Sequence, residues 1–197
     1  AKRAWEDATE DWRRYGDVDI PTTEGDPIHL NDREMYAGRA AEARAKLEAI
    51  EPGLRKKLVE EARGKLNSRE QRALDAVPEK RTPEQQELAY RANEKIAVTP
   101  SQQARRITGP RRDEALEMAA QINEAEKMAD LVDRHRQIVN FDYWRLHAQV
   151  EQTGEALAAR EAIFNGDQLA KTDPLGAQEA FAKGSVKWRA VLDKFPG

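Results

Sequence analysis

The sequence "RRDEALEMAAQINEAEKMADLVD", residues 111–133, decides the fold. Its apolar residues recur at spacings of three and four, which is the pattern of an amphipathic helix with a coiled-coil seam. No glycine or proline interrupts the chain between Pro110 and Gly154, so we expect one helix over about 110–153, about 60 Å long. The predicted seam comprises Ala115, Met118, Ile122, Ala125, Ala129 and Val132, and continues through Val139, Leu146 and Val150.

The rest of the chain predicts further helices around this one. Charged residues make up 35% and hydrophobic residues 39% of the 197 residues, a composition typical of amphipathic helices. We therefore predict an all-α protein, a multi-helix bundle of seven to nine helices around one long helix (about 110–153), with a C-terminal helical hairpin. Capping patterns predict helices after Asn31, Ser68, Thr82 and Thr99, and a helix that restarts at Pro52 after a break at Ile50.

A glycine and a proline at residues 109 and 110 suggest a domain boundary near residue 108. It separates an N-terminal helical region, 1–108, from the long helix and the hairpin, 109–197. One continuous domain is the alternative, because a chain of 197 residues is long enough for a single core.

The N-terminal segment predicts a helix with one aromatic stripe. Its stripe residues are spaced by three and four, and the helix should end at Gly16. We expect the stripe to pack on neighbouring helices. An interfacial membrane helix is the alternative, but its polar face usually carries Lys and Arg rather than a mixture of charges. The stripe comprises Trp5, Ala8, Trp12 and Tyr15.

Residues 17–31 predict a loop, because they contain two prolines, a glycine and no helical period. Ile20, Ile28 and Leu30 are expected to tether this loop to the core. His29 is expected at the surface rather than as a metal ligand, since no second ligand lies at helical spacing from it.

The segment "NFDYWRLH", residues 140–147, concentrates aromatic side chains within two helical turns. In the register of the predicted seam, Tyr143 lies on the seam, and Phe141 and Trp144 lie on its flanks. A helix that is apolar on nearly every side is buried on several sides, so we interpret the segment as a joint in the core. The alternative is a ligand pocket formed by Tyr143, Trp144 and His147.

No pattern in the chain predicts catalysis or a metal site. His147 and Glu151 have the spacing of a helical metal-binding pair, but neither a Glu-x-x-His nor a His-x-x-x-His pattern supplies further ligands. The absence of cysteine excludes thiolate nucleophiles, zinc fingers, iron–sulfur clusters and covalently attached haem. Because no triad-like pattern occurs either, we predict a non-enzyme without cofactor or metal.

A group of arginines surrounds the Gly-Pro break before the long helix. A helix N-terminus flanked by Arg111 and Arg112 can hold a phosphate or a carboxylate. Asp113 and Glu114 already complement the helix dipole there, so a solvated hinge is the preferred interpretation. The net charge of −3 and a pI near 5.8 argue against nucleic-acid binding. The group comprises Arg105, Arg106, Arg111 and Arg112.

Two stretches resemble known families. The segment "LNSREQRALDAVPEKRTPEQQELA", residues 66–89, resembles a spacer of secreted bacterial multi-haem-type cytochrome proteins. The haem motif of that family, two cysteines followed by histidine, is absent, so the likeness implies an extracytoplasmic setting and no haem.

The C-terminal stretch, residues 156–196, resembles a tetratricopeptide hairpin. Ala177, Phe181 and Gly184 match small and aromatic positions of its second helix, after a turn at 172–174 and before Pro196. The Trp, Leu-Gly and Tyr of the first helix are not in place, so the likeness implies a helical hairpin and no ligand.

Together these patterns predict a non-catalytic helical scaffold or adaptor that acts by protein–protein interaction. A homo-oligomer formed through the long helix is a further option, and a small-ligand or metal-binding bundle centred on 140–147 is the alternative. No stretch of about 18 apolar residues occurs, so we expect no membrane span. Because the chain opens at Ala1 rather than Met, we expect an upstream signal or anchor to be compatible with it, and the cytochrome likeness favours a periplasmic or secreted location.

Overall fold

The computed structural model describes residues 2–23 and 25–195, and within them the protein is all-α, as predicted. Ten α-helices occur in this part of the chain, rather than seven to nine. They are α1 (Lys2–Tyr15), α2 (Arg33–Ile50), α3 (Leu54–Arg63), α4 (Ser68–Asp75), α5 (Pro83–Ile96), α6 (Pro100–Arg106), α7 (Arg112–Ile138), α8 (Phe141–Glu151), α9 (Gly154–Leu169) and α10 (Pro174–Lys194), with 3₁₀ turns at Leu30–Asp32 and Pro78–Lys80. None of the described helices is long and apolar enough to cross a membrane.

The chain forms two compact units. The terminal unit comprises residues 1–33 and 130–197, and the central unit comprises residues 34–129. The break expected near residue 108 therefore lies inside the central unit. Both α2 and α7 pass from one unit into the other, and the terminal unit combines the two ends of the sequence whereas the central unit is one continuous segment.

The central unit has an aliphatic core built on one face of α7. Small and branched side chains of α2, α3 and the end of α6 pack against this face, and Ile50 and Leu58 cover its edge. The predicted seam is buried at Ala115, Met118, Ile122, Ala125 and Val132, which confirms its register along α7. The core cluster comprises Ala43, Leu47, Leu54, Ala104, Ile107, Ala115, Met118, Ala119 and Ile122.

The prediction of one uninterrupted helix over about 110–153 is wrong. Asn140 adopts left-handed backbone angles, φ 51° and ψ 41°, which separate α7 from α8. Asn adopts this conformation more readily than other residues with a side chain, so the break requires neither glycine nor proline. It also changes the helical register, because Leu146 of the predicted seam is exposed and Phe141 of the predicted flank is buried.

Side-chain caps begin α4, α5 and α6. Thr82 and Thr99 each form the predicted capping box with the Gln three residues later. The cap expected at Ser68 is wrong by one residue, because Asn67 caps α4 and Glu70 completes its box. An Asn side-chain oxygen accepts the same backbone hydrogen bonds as a hydroxyl, so two overlapping cap patterns compete in this segment.

Asn31 does not cap α2, contrary to the prediction. It lies in a 3₁₀ turn, and its Nδ2 donates to the Arg13 carbonyl oxygen at 3.0 Å and to Asp17 Oδ1 at 2.7 Å. The neighbouring Gly16 is buried so close to this amide that an added Cβ would lie 2.4 Å from Asn31 Oδ1. Asn31 therefore holds the C-terminal end of α1.

The loop after α1 is tethered as predicted. Ile28 and Leu30 are fully buried, and Ile20 exchanges backbone hydrogen bonds of 2.9 and 3.0 Å with Ile28. This antiparallel bridge is isolated, and no strand occurs in the described residues.

The predicted C-terminal hairpin is formed by α9 and α10. Asp173 caps α10 by accepting a 3.0 Å hydrogen bond from the Gly176 backbone N–H. The two helices approach closely at Gly184, where an added Cβ would lie 2.5 Å from Ile163 Cδ1. Pro196, expected to end the second helix, lies outside the described residues.

Candidate binding surface on the eighth helix

One side of α8 is fixed against α1 by aromatic packing. Phe141 is 0% exposed, and its ring centroid lies 6.0 Å from that of Trp12 and 6.5 Å from that of Tyr15. Gln152, just after α8, donates a 3.1 Å hydrogen bond to Thr9. The stripe of α1 therefore packs on a neighbouring helix, as its spacing predicts.

Beside this packed side, α8 carries an aromatic surface formed by Tyr143, Trp144 and His147. Tyr143 is 60% exposed and Trp144 is 42% exposed, so the core interpretation is correct for Phe141 and wrong for these two residues. The left-handed Asn140 causes the difference, because it rotates α8 relative to the seam of α7.

The three rings of the aromatic surface contact one another. Tyr143 stacks on His147 with centroids 5.7 Å apart and ring planes inclined by 10°. Trp144 is edge-on to both, at 5.0 Å from Tyr143 and 5.8 Å from His147. Trp5 of α1 meets His147 edge-on at 5.4 Å. Each ring of the surface therefore contacts another ring, and these contacts favour the rotamers described.

A charged pair anchors the C-terminal end of α8. Glu151 is 2% exposed, and both of its carboxylate oxygens accept hydrogen bonds from the Arg160 guanidinium. The guanidinium lies 5.8 Å from the ring centroid of Trp5 and 5.5 Å from that of Trp188. This bidentate pair lies between two indole rings and so joins α1, α8, α9 and α10. The hydrogen bond to Glu151 raises the pKa of Arg160.

A second pair anchors the start of α8. The buried Arg136 donates through Nε to Asp142 Oδ2 at 3.0 Å and through Nη1 to the Leu30 carbonyl oxygen at 3.4 Å. The hydrogen bond from Arg136 lowers the pKa of Asp142, so this carboxylate stays ionised at neutral pH. Asp142 is therefore fixed by its pairing with Arg136, and Phe141 is fixed by its burial. Both residues directly precede Tyr143.

The spacing of His147 and Glu151 does not produce a metal-binding pair. His147 Nε2 lies 3.8 Å from Glu151 Oε1, and Arg160 already binds both oxygens of that carboxylate. Among residues 2–23 and 25–195, no group of three His, Asp or Glu side chains is placed to hold a metal ion.

His29 is bound between two carboxylates. Its Nδ1 lies 2.9 Å from Asp32 Oδ2, and its Nε2 lies 2.7 Å from Asp19 Oδ1. Hydrogen bonds to Asp32 and then to Asp19 raise the pKa of His29 above its ordinary value. The two carboxylates occupy opposite ring nitrogens, so the three side chains do not converge on one point.

Two of the four arginines near the Gly-Pro break, Arg111 and Arg106, pair with carboxylates of the protein. Arg111 donates to both oxygens of Glu114, at 2.8 and 2.9 Å, and this pairing lowers the pKa of Glu114. Arg106 lies 3.4 Å from Glu61, and Arg112 is exposed at the first position of α7. Arg111 and Arg112 belong to the central unit, whereas the aromatic surface belongs to the terminal unit.

Sequence reasoning identified Tyr143, Trp144 and His147, and paired Glu151 with His147, but it missed Arg160 and Trp188, which anchor the end of α8 through Glu151. The available signal was weak, since Arg160 follows Glu151 by nine residues across a helix boundary. No protein-family model, curated protein or solved structure matches the chain. A function is therefore inferred from the side chains of this molecule alone.

Proposed function

We propose that this protein is a non-catalytic helical scaffold or adaptor that binds a protein partner through the aromatic surface of α8. The observation that carries the proposal is the exposure of Tyr143 and Trp144, side by side, on a helix that is anchored at both ends.

Tyrosine and tryptophan are enriched at the centres of protein interfaces, because one side chain buries about 150–250 Å². They have only two side-chain torsions, so fixing them costs less conformational entropy than fixing a long flexible side chain. In this protein the ring contacts among Tyr143, Trp144 and His147 already restrict those torsions. Preorganisation of this kind reduces the free-energy cost of association.

The surroundings of the aromatic surface fit the rim of an interface. Leu146 adds a partly exposed apolar side chain to α8. Asp142 and Arg145, 3.7 Å apart, add charged groups of both signs to the same helix. Interfaces commonly have such a polar rim around an apolar centre.

The test compares two variants in an affinity capture followed by binding measurements. The double variant Tyr143→Ala/Trp144→Ala removes the aromatic surface, and Tyr90→Ala removes an equally exposed tyrosine from the central unit. We expect proteins captured by the wild type and by Tyr90→Ala to be lost with the double variant. With a purified partner, we expect the double variant to bind at least about tenfold more weakly, which corresponds to about 1.4 kcal/mol.

Circular dichroism and thermal unfolding must show that the double variant remains folded. Equal capture by the double variant and the wild type would disprove the proposal. Release of a small molecule from the wild-type protein, detected by native mass spectrometry and lost in the double variant, would instead support a ligand pocket.

A further inference from the structure

A groove with a volume of ≈ 490 Å³ lies between α2 and α7 within the central unit. Its apolar lining includes Ala43, Ala120, Ala125 and Met128. The two helices run in opposite directions, since Arg33 pairs with Asp133 whereas the later Arg44 pairs with the earlier Glu126. The small alanine side chains of the lining allow another helix to approach closely.

The two walls of the groove differ in charge. The α2 wall carries Arg39 and Lys46, seven residues apart, with Glu42 between them. The α7 wall carries Glu124, and Glu117 extends the same row, bonded to Gln121 at 3.2 Å. The α2 wall therefore has a net positive charge and the α7 wall a net negative charge.

From this arrangement we infer that the groove is the docking site of a second copy of the chain, in a two-fold symmetric dimer. An axis parallel to the groove places α2 of each copy against α7 of the other. The positive wall then faces the negative wall twice, once on each side of the axis. Because each copy brings both walls, the surface is complementary to itself, as an isologous interface requires.

The dimer forms a four-helix bundle in which neighbouring helices are antiparallel, an arrangement common for packed helix pairs. Glu42 is the one like charge that faces the α7 wall, so the pairing is carried by the two cations beside it. This inference is independent of the aromatic surface, which lies in the other unit.

A charge-swap experiment tests the dimer by sedimentation equilibrium at micromolar concentration. We expect the wild type to be a dimer, and Arg39→Glu and Glu124→Arg each to be a monomer, because the first makes both walls negative and the second removes the net negative charge of the α7 wall. An equimolar mixture of the two variants should dimerise again, since the introduced glutamate then faces the introduced arginine, and the unchanged walls of the two copies remain opposite in charge.

Two exposed residues of the central unit supply controls with the same changes of charge: Lys57→Glu and Glu79→Arg should remain dimers. Ala120→Trp should fill the groove and give a monomer without changing the charge. Thermal unfolding establishes that every variant is folded. A monomeric wild type, or a dimer that persists in both charge variants and in Ala120→Trp, would overturn the inference.

Discussion

The helices α7 and α8 follow one another in the chain, but different kinds of contact hold them. The seam of α7 is aliphatic, with Ala115, Met118 and Ile122 buried among other small apolar side chains. On α8, Phe141 packs among aromatic rings, and an arginine–carboxylate pair fixes each end of the helix. Apolar contact has no preferred direction, whereas bidentate pairs and ring contacts define the rotation of a helix about its axis.

The difference explains how α8 can display large side chains. In each pair one partner is buried, Glu151 or Arg136. Desolvation offsets most of the attraction that such a charge gains from its partner, but leaving the buried charge unpaired is strongly penalised. Glu151 with Arg160 and Asp142 with Arg136 therefore disfavour any rotation of α8 that would bury Tyr143 and Trp144. A surface that recognises a partner requires a fixed rotation of its helix about the helix axis. The aliphatic seam of α7 requires only that its apolar side chains are buried.

The largest expected effect separates the two sides of α8. Phe141→Ala removes a fully buried ring, and we expect it to lower the free energy of unfolding by about 3–5 kcal/mol. Trp144→Ala removes a larger side chain that is 42% exposed, so a smaller loss, under about 2 kcal/mol, is expected. Urea unfolding followed by circular dichroism measures both. An equal or greater loss with Trp144→Ala would show that the exposed side of α8 belongs to the core.

A smaller effect concerns the residue that separates the helices. The Asn140 side chain makes no capping hydrogen bond, so substitutions there test its left-handed backbone. Asn140→Val should destabilise the protein by about 1–2 kcal/mol, because a β-branched residue disfavours that conformation. Asn140→Gly, the matched control, should be as stable as the wild type or slightly more stable.

Backbone chemical shifts of residues 139–141 would report whether Asn140→Val straightens the chain into one helix. If the substitution leaves both the stability and the shifts unchanged, the left-handed residue does not set the register of α8. A straightened helix would restore the register that the heptad pattern predicts and would turn Tyr143 towards the seam.

The comparison of α7 with α8 also shows which parts of the fold can be predicted from the sequence. Periodicity alone predicted the buried face of α7 through Val132, because a seam of small apolar residues depends only on spacing. It failed beyond Asn140, because one residue in a left-handed conformation rotates everything after it, and Asn is compatible with both a helix and a break. Thr82 and Thr99 were predictable as caps, since a capping box is formed within four residues.

The candidate site was predictable in part, for a related reason. Tyr143, Trp144 and His147 are close in sequence and share one helix, so spacing groups them correctly. Their exposure and their support depend on Trp5, Arg160 and other residues distant in the chain. Pairs of this kind follow from tertiary packing, which local patterns do not encode.

The smallest expected effect is a pH dependence of stability that arises from His29, next to the residue that Arg136 binds at the start of α8. His29 precedes Leu30, whose carbonyl oxygen accepts from Arg136, and its ring is held by Asp19 and Asp32. The raised pKa of His29 means that the folded protein binds this proton more tightly than the unfolded chain. Its contribution to stability is therefore fully present below the unfolded value of 6.5 and is lost as the pH rises through the higher folded value.

His29→Gln keeps a polar side chain of similar length but cannot take up a proton. We expect the wild type to exceed this variant in free energy of unfolding at about pH 6, and the difference to shrink by about pH 9. Ile122→Val, a mild change in the seam of α7, supplies a control whose effect should not vary with pH, because the surrounding core cluster contains no titratable side chain. A difference for His29→Gln that grows with rising pH would mean that neutral His29 is the stabilising form, and the two carboxylates would then not be its partners. An NMR titration of the His29 ring, with an apparent pKa above 6.5, would assign the effect to this residue rather than to His135 or His147.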